Sequence, residues 1–255
     1  MRTLFEFIAV VSVGVLPAVL GSVMQLSRPE VVVRMTAGEQ LLNRGLRALM
    51  IIAVVMLVAL DQPGGLTALG MPRANNESLV ATMWGLIVMG GALWIYVAVR
   101  TIVSRLRPNA AAAPAPVPPR PWLASTTVYR SGWERVAFLV VLAFTVIAED
   151  LVFRGYLVLW WGARTGTFIP WAVLSVALSV LVHLYQGRGA PAPDGLPVSP
   201  LRTPLMLRTI LFHAGLAGLF VGVTVVTHNL AAAIVPHLWY DIVWTVGVWR
   251  RDRGA

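Results

Sequence analysis

The 255-residue chain has no cysteine, which excludes a disulfide framework, a thiolate nucleophile and any cysteine-ligated metal site. Lysine is absent too: every basic residue is arginine. No lysine base, Schiff-base amine or Ser–Lys pair can therefore operate. Charge of either sign is scarce. Asp, Glu, Lys and Arg make up 12% of residues, against about 25% in soluble globular domains. There is also no His-Glu-x-x-His, Gly-x-Ser-x-Gly or Walker-type sequence, so zinc proteases and serine hydrolases of those kinds have no support.

What is present is apolar, with hydrophobic residues making up 58% of the chain. Runs near the roughly 20 residues needed to cross a bilayer recur along it. The fold class expected is all-α, a polytopic bundle of about seven transmembrane helices, with six to eight as the range. The expected spans are 5–24, 42–60, 79–99, 133–152, 168–185, 205–226 and 230–249. The first is read as a retained span rather than a signal peptide, because its apolar run is long and no clear cleavage site follows. The apolar stretch 156–161 is ambiguous and could be a separate interfacial helix. Trp122, Trp133, Trp160, Trp161, Trp171 and Trp249 fall near span ends, where aromatic belts collect. Gly85, Gly90 and Gly91, and Gly215, Gly218 and Gly222, read as close helix–helix contacts.

The chain divides into an N-terminal three-span region (1–107), a proline- and alanine-rich linker (108–132) and a C-terminal region (133–255) that holds every candidate site residue. A second Pro/Gly stretch, 187–204, forms a long polar loop. With seven spans, the arginine-bearing segments fall on one side: Arg28, Arg34, Arg44 and Arg47, then Arg100 to Arg130, Arg188 and Arg202, and the tail from Arg250. That side is cytoplasmic by the positive-inside rule. The net charge of +9 reports orientation and contact with anionic lipid rather than nucleic-acid binding.

Ionisable residues at membrane depth are functional-site hypotheses by default. Three clusters qualify. In Glu149-Asp150-Leu151-Val152-Phe153-Arg154-Gly155, the four-residue spacing lets Asp150 and Arg154 pair on one helix face. Glu149 points about 100° away and is left without a local partner. The second cluster is His183 alone, at the end of an apolar run. In the third, His237 and Asp241 are four residues apart on one face, with Pro236 loosening the helix beside them. Each also has a plain structural reading: an acid–arginine lock, an interfacial histidine, and a His–Asp pair that fixes helix packing. His213 and His228 lack an acid at helical spacing and read as structural.

In order and context these clusters resemble the motifs of the CAAX protease and bacteriocin-processing (Abi) family of intramembrane proteases: EExxxRG, FxxxH, and HxxxN or HxxxD. The resemblance covers roughly 133–250. Asp150 stands where the family has its second glutamate, and Ser179 where it has phenylalanine. The resemblance implies a mostly eight-helix bundle that hydrolyses a peptide bond of a membrane-associated protein or peptide, prenylated CAAX substrates being one class. Glu149 with His183 would activate water, while His237 and Asp241 would stabilise or orient the oxyanion. Asp150 and Arg154 would hold the motif helix in register. An ionised Asp241 cannot donate to an oxyanion, so either it fixes His237 or the site binds a metal. Glu149, His183, His237 and Asp241 would then be the zinc ligands. The metal-free glutamate mechanism is the favoured form, with no cofactor. The expected partners are the lipid bilayer and a membrane-associated substrate, with no nucleic acid, in a bacterial or archaeal cell membrane. The alternatives are a non-proteolytic scaffold or immunity-type protein of the same fold, and, behind it, a transporter. The latter would want broken helices in matched halves.

Overall fold

The computed structural model describes residues 2–27, 36–62, 64–71, 75–106, 129, 131–184 and 203–253. They are helical, with no strand among them. Helix α1 consists of Arg2–Val10, a π-helical turn Val11–Val15, and Leu16–Ser27. It is followed by α2 (Ala37–Leu60), the single turn α3 (Gly65–Ala68) and α4 (Asn76–Leu106). Helix α5 consists of Gly132–Asp150, a π-helical stretch Leu151–Trp160, and Trp161–Thr165. Helices α6 (Ile169–His183), α7 (Thr203–Thr227) and α8 (Ala231–Arg253) complete the bundle. The linker over 107–128 and the loop over 185–202 lie outside the described residues.

Five helical stretches are long and apolar enough to cross a membrane: Thr3–Val23, Ala37–Leu60, Asn76–Val99, Gly132–Thr165 and Thr209–Thr227. The expected fifth span is instead a 15-residue helix, α6. The expected seventh is the 23-residue α8, with His237 and Asp241 in its middle. The protein is a multi-pass, all-helical membrane protein.

Helix boundaries follow local chemistry. Thr36 and Glu39 form a reciprocal capping box that starts α2 at Ala37, five residues before its apolar run. Arg44 and Arg47, grouped with Arg28 and Arg34 in the orientation reading although they fall within the expected span 42–60, lie inside the helix. Ser131 and Glu134 start α5 in the same way. At the α7–α8 corner His228 takes a positive φ of 49°, and the Asn229 side chain accepts from Ala231 N at 2.9 Å.

The two halves of the chain share one core. Val10 and Val15 of α1, Ile51 and Val55 of α2, and Leu69 pack with Leu151, Phe153, Tyr156 and Leu230. Leu230 N also donates to Gly70 O at 2.7 Å, tying the α3–α4 loop to the start of α8. Helix α4 lies against α8 so closely that a Cβ on Gly85 would strike the Ala232 carbonyl oxygen. The other glycines read as contact points do not behave this way. A Cβ at Gly90, Gly91, Gly215, Gly218 or Gly222 would meet nothing within 4 Å, so glycine spacing alone did not identify the close contacts.

Two further expectations are corrected. Residues 156–161 are not a separate interfacial helix, because α5 continues unbroken through them and every residue from Leu151 to Trp160 is buried. Trp160 and Trp249 are buried rather than placed in an aromatic belt. Trp249 lies under the Arg135 guanidinium, 5.6 Å from ring centroid to Cζ, and edge-on to Phe138.

Candidate active site

The site is built around the point where α5 changes from α- to π-helix. A π-helix bonds residue i to i+5 and is uncommon outside functional sites. In the wider turn Arg154 faces two acids at once. Its Nη1 lies 3.0 Å from Asp150 Oδ1, four residues back, and 3.3 Å from Glu149 Oε1, five residues back. Glu149 is therefore not the partnerless carboxylate that α-helical spacing implied. Its Oε1 accepts from Arg154, while Oε2 is free of hydrogen bonds among the described residues. Arg154 itself is 1% exposed and lies over the Phe220 ring, 5.6 Å from its centroid. A buried arginine in that setting needs its acids.

Asp150 links the first cluster to the third. It is fully buried, and its Oδ2 accepts from His237 Nδ1 at 3.1 Å. A carboxylate can only accept, so Nδ1 carries a proton. The ring is fixed on its other face by stacking on Phe220, with centroids 4.8 Å apart. Nε2 points toward Asp241, 3.8 Å from its Oδ2, beyond hydrogen-bond length.

Helix α6 ends at the site with His183. Its Nδ1 donates to the Ser179 carbonyl at 2.7 Å, and its Nε2 makes no hydrogen bond among the described residues. Ser179, at the departure from the family pattern, is buried, and its hydroxyl has no hydrogen bond among the described residues. His183 stacks on His213 of α7, centroids 4.5 Å apart and rings inclined by 16°. His213, read as structural from sequence, thus stands inside the cluster. The absence of a helically spaced acid hid it, whereas its position within an apolar span is the signal His183 carried.

Glu149 lies within electrostatic reach of His183 and His237. Asp241 reaches His237, Glu149, His183 and Asp150. The fold thus gathers Glu149, Asp150, Arg154, His183, His237 and Asp241 from α5, α6 and α8. The tightly bonded members are Arg154, Asp150 and His237. Glu149 and Asp241 keep partial exposure, with side chains 17% and 30% accessible. As zinc ligands the residues do not fit in this arrangement: among the described residues no three His, Asp or Glu side chains group so as to hold a metal ion.

Searches of curated proteins and of solved structures give no match to the chain. A family model described as type II CAAX prenyl endopeptidase Rce1-like matches residues 131–243, a stretch that begins at the α5 capping box and ends just past Asp241. All six residues gathered at the site fall within it. Over residues 131–243 the chain thus matches an Rce1-like domain of the CAAX protease family.

Proposed function

We propose that the protein hydrolyses a peptide bond in the C-terminal segment of a membrane-associated, CAAX-type protein, with Glu149 as general base and no metal in the reacting step. The observation that carries this reading is the arrangement around Asp150. One buried carboxylate pairs with both Arg154 and His237, while Glu149 keeps Oε2 free of hydrogen bonds among the described residues and lies within electrostatic reach of His183 and His237.

Water bound between Glu149 Oε2 and His183 Nε2 transfers a proton to the carboxylate as its oxygen attacks the scissile carbonyl carbon. The C=O π bond becomes an oxyanion. His237, protonated at both nitrogens, donates from Nε2 to that oxyanion, and its positive charge is balanced by Asp150 on one side and Asp241 on the other. Asp241 thus acts through His237 rather than on substrate. Collapse of the intermediate breaks the C–N bond, and the proton held by Glu149 goes to the leaving amine.

Purified protein in lipid nanodiscs is incubated with a quenched, S-prenylated CAAX peptide, with and without chelator. Cleavage by the wild type that is lost in Glu149→Gln and indifferent to chelator is expected. Cleavage lost to chelator and restored by zinc would replace the glutamate mechanism with a metal-dependent one. No cleavage by folded wild type would favour a scaffold of the same fold.

A further inference from the structure

Arg47 is a charge that the proposed reaction leaves unused. It lies within the apolar span Ala37–Leu60, half-buried. Among the described residues it has neither a hydrogen bond nor an ion pair. An arginine in an apolar span is normally kept with a partner, and this one has none among the described residues.

Its surroundings give the partner's position. Helix α1 passes Arg47 at Gly21, where an added Cβ would stand 3.9 Å from Nη1. The next residue, Ser22, donates to the Leu181 carbonyl at 3.0 Å, two residues before His183. This seam sets the guanidinium at the depth of His183. Glu149 and Arg44 both lie within its electrostatic reach, and among the described residues no acid touches it. Arg154 offers no such vacancy, since both its acids are already in place.

We infer that Arg47 binds the C-terminal carboxylate of the peptide substrate. The inference rests on the endopeptidase reading of the site. A CAAX segment is a chain terminus, so its carboxylate lies within a few residues of any bond cut inside it. Three extended residues span about 10 Å, a distance over which opposite charges interact without contact when salt and water are partly excluded. The planar fork of arginine matches a carboxylate in a bidentate way. Glu149 repels the same group, and Arg44 adds like charge beside Arg47. The terminus is thereby directed to α2 and the scissile carbonyl to α5. Arg47 is thus a specificity determinant supplied from outside the matched Rce1-like stretch.

The test measures affinity for two fluorescent S-prenylated CAAX peptides, one ending in a carboxylate and one in a carboxamide. The protein carries Glu149→Gln, so that peptide is not consumed, and sits in zwitterionic nanodiscs. The carboxylate peptide should bind about tenfold more tightly, the scale of one charge-assisted contact. Adding Arg47→Gln should equalise the two peptides while leaving carboxamide binding unchanged. Arg47→Lys should keep an intermediate preference, and it stands in if Arg47→Gln unfolds. A carboxylate preference that survives Arg47→Gln, an equal weakening of both peptides, or no preference at the start would overturn the inference. So would an effect of Arg47→Gln confined to association with phosphatidylglycerol nanodiscs, which would assign the residue to lipid. The two readings fail separately. Wild type that discriminates the peptides but cuts neither loses the protease and keeps the carboxylate site. Wild type that cuts both equally does the reverse.

Discussion

Replacing Asp150 by asparagine separates charge from shape at the centre of the site. The side chain is fully buried and serves Arg154 at 3.0 Å and His237 at 3.1 Å. Asparagine keeps an acceptor for His237 Nδ1 and removes the charge opposite Arg154. Taking one partner from a buried ion pair costs about 3–5 kcal/mol. Here Arg154 retains Glu149 at 3.3 Å, so the lower end, about 3 kcal/mol, applies. By the scaling for chains of this size that is a fall of about 6–12 °C in Tm, read by tryptophan fluorescence in detergent. At His237 a charge-assisted bond becomes a neutral one, a loss of about 1 kcal/mol. That is about fivefold in kcat on the CAAX peptide. Asp150→Glu, which restores the charge but must fit one more methylene into closed space, should recover activity more fully than stability. An Asp150→Asn protein with unchanged Tm and unchanged kcat would refute the assignment of Asp150 as the buried link between Arg154 and His237.

Gly85→Ala should destabilise the bundle by about 1–3 kcal/mol, because its Cβ would strike the Ala232 carbonyl oxygen. Gly90→Ala, which meets nothing within 4 Å, should be neutral in the same thermal scan. His213→Phe should keep the stack on His183 and most of the cleavage rate, whereas His213→Ala should lower kcat by releasing the ring. Equal activity in the two variants would remove His213 from the site. Asn229→Ala loses both the cap of α8 and the bond to Ser78 Oγ at 2.9 Å. It should cost about 1 kcal/mol or more, seen as a lower unfolding temperature.

The helices were legible because a bilayer-length apolar run admits few other structures, but the capping boxes of Thr36 with Glu39 and Ser131 with Glu134 were not read, so α2 was started five residues late. Spacing also placed Asp150 beside Arg154 and His237 near Asp241. Three features were not legible. Apart from Arg154, the π-helical stretch is apolar and buried throughout, so no periodicity distinguishes it from an α-helix. Consequently the reach of Arg154 to Glu149, five residues away, went unseen. The bond from Asp150 to His237 joins residues 87 apart and belongs to packing. His213 was passed over because its stacking partner is on another helix. Glycine spacing misled in the opposite direction, since small residues in a span do not by themselves put backbone against backbone.

The hydrogen bond from Leu230 to Gly70 also bears on biogenesis. Chains are made from the N-terminus, so α1 to α7 are made before Leu230 can close the α3–α4 loop and before Ala232 can seat on Gly85. During that interval Arg154 already has both its acids, because all three come from one helix. His237 arrives in the final stage and completes the cluster by docking on Asp150. Under the proposed function, competence for cleavage is thus expected only once α8 has docked on the helices made before it.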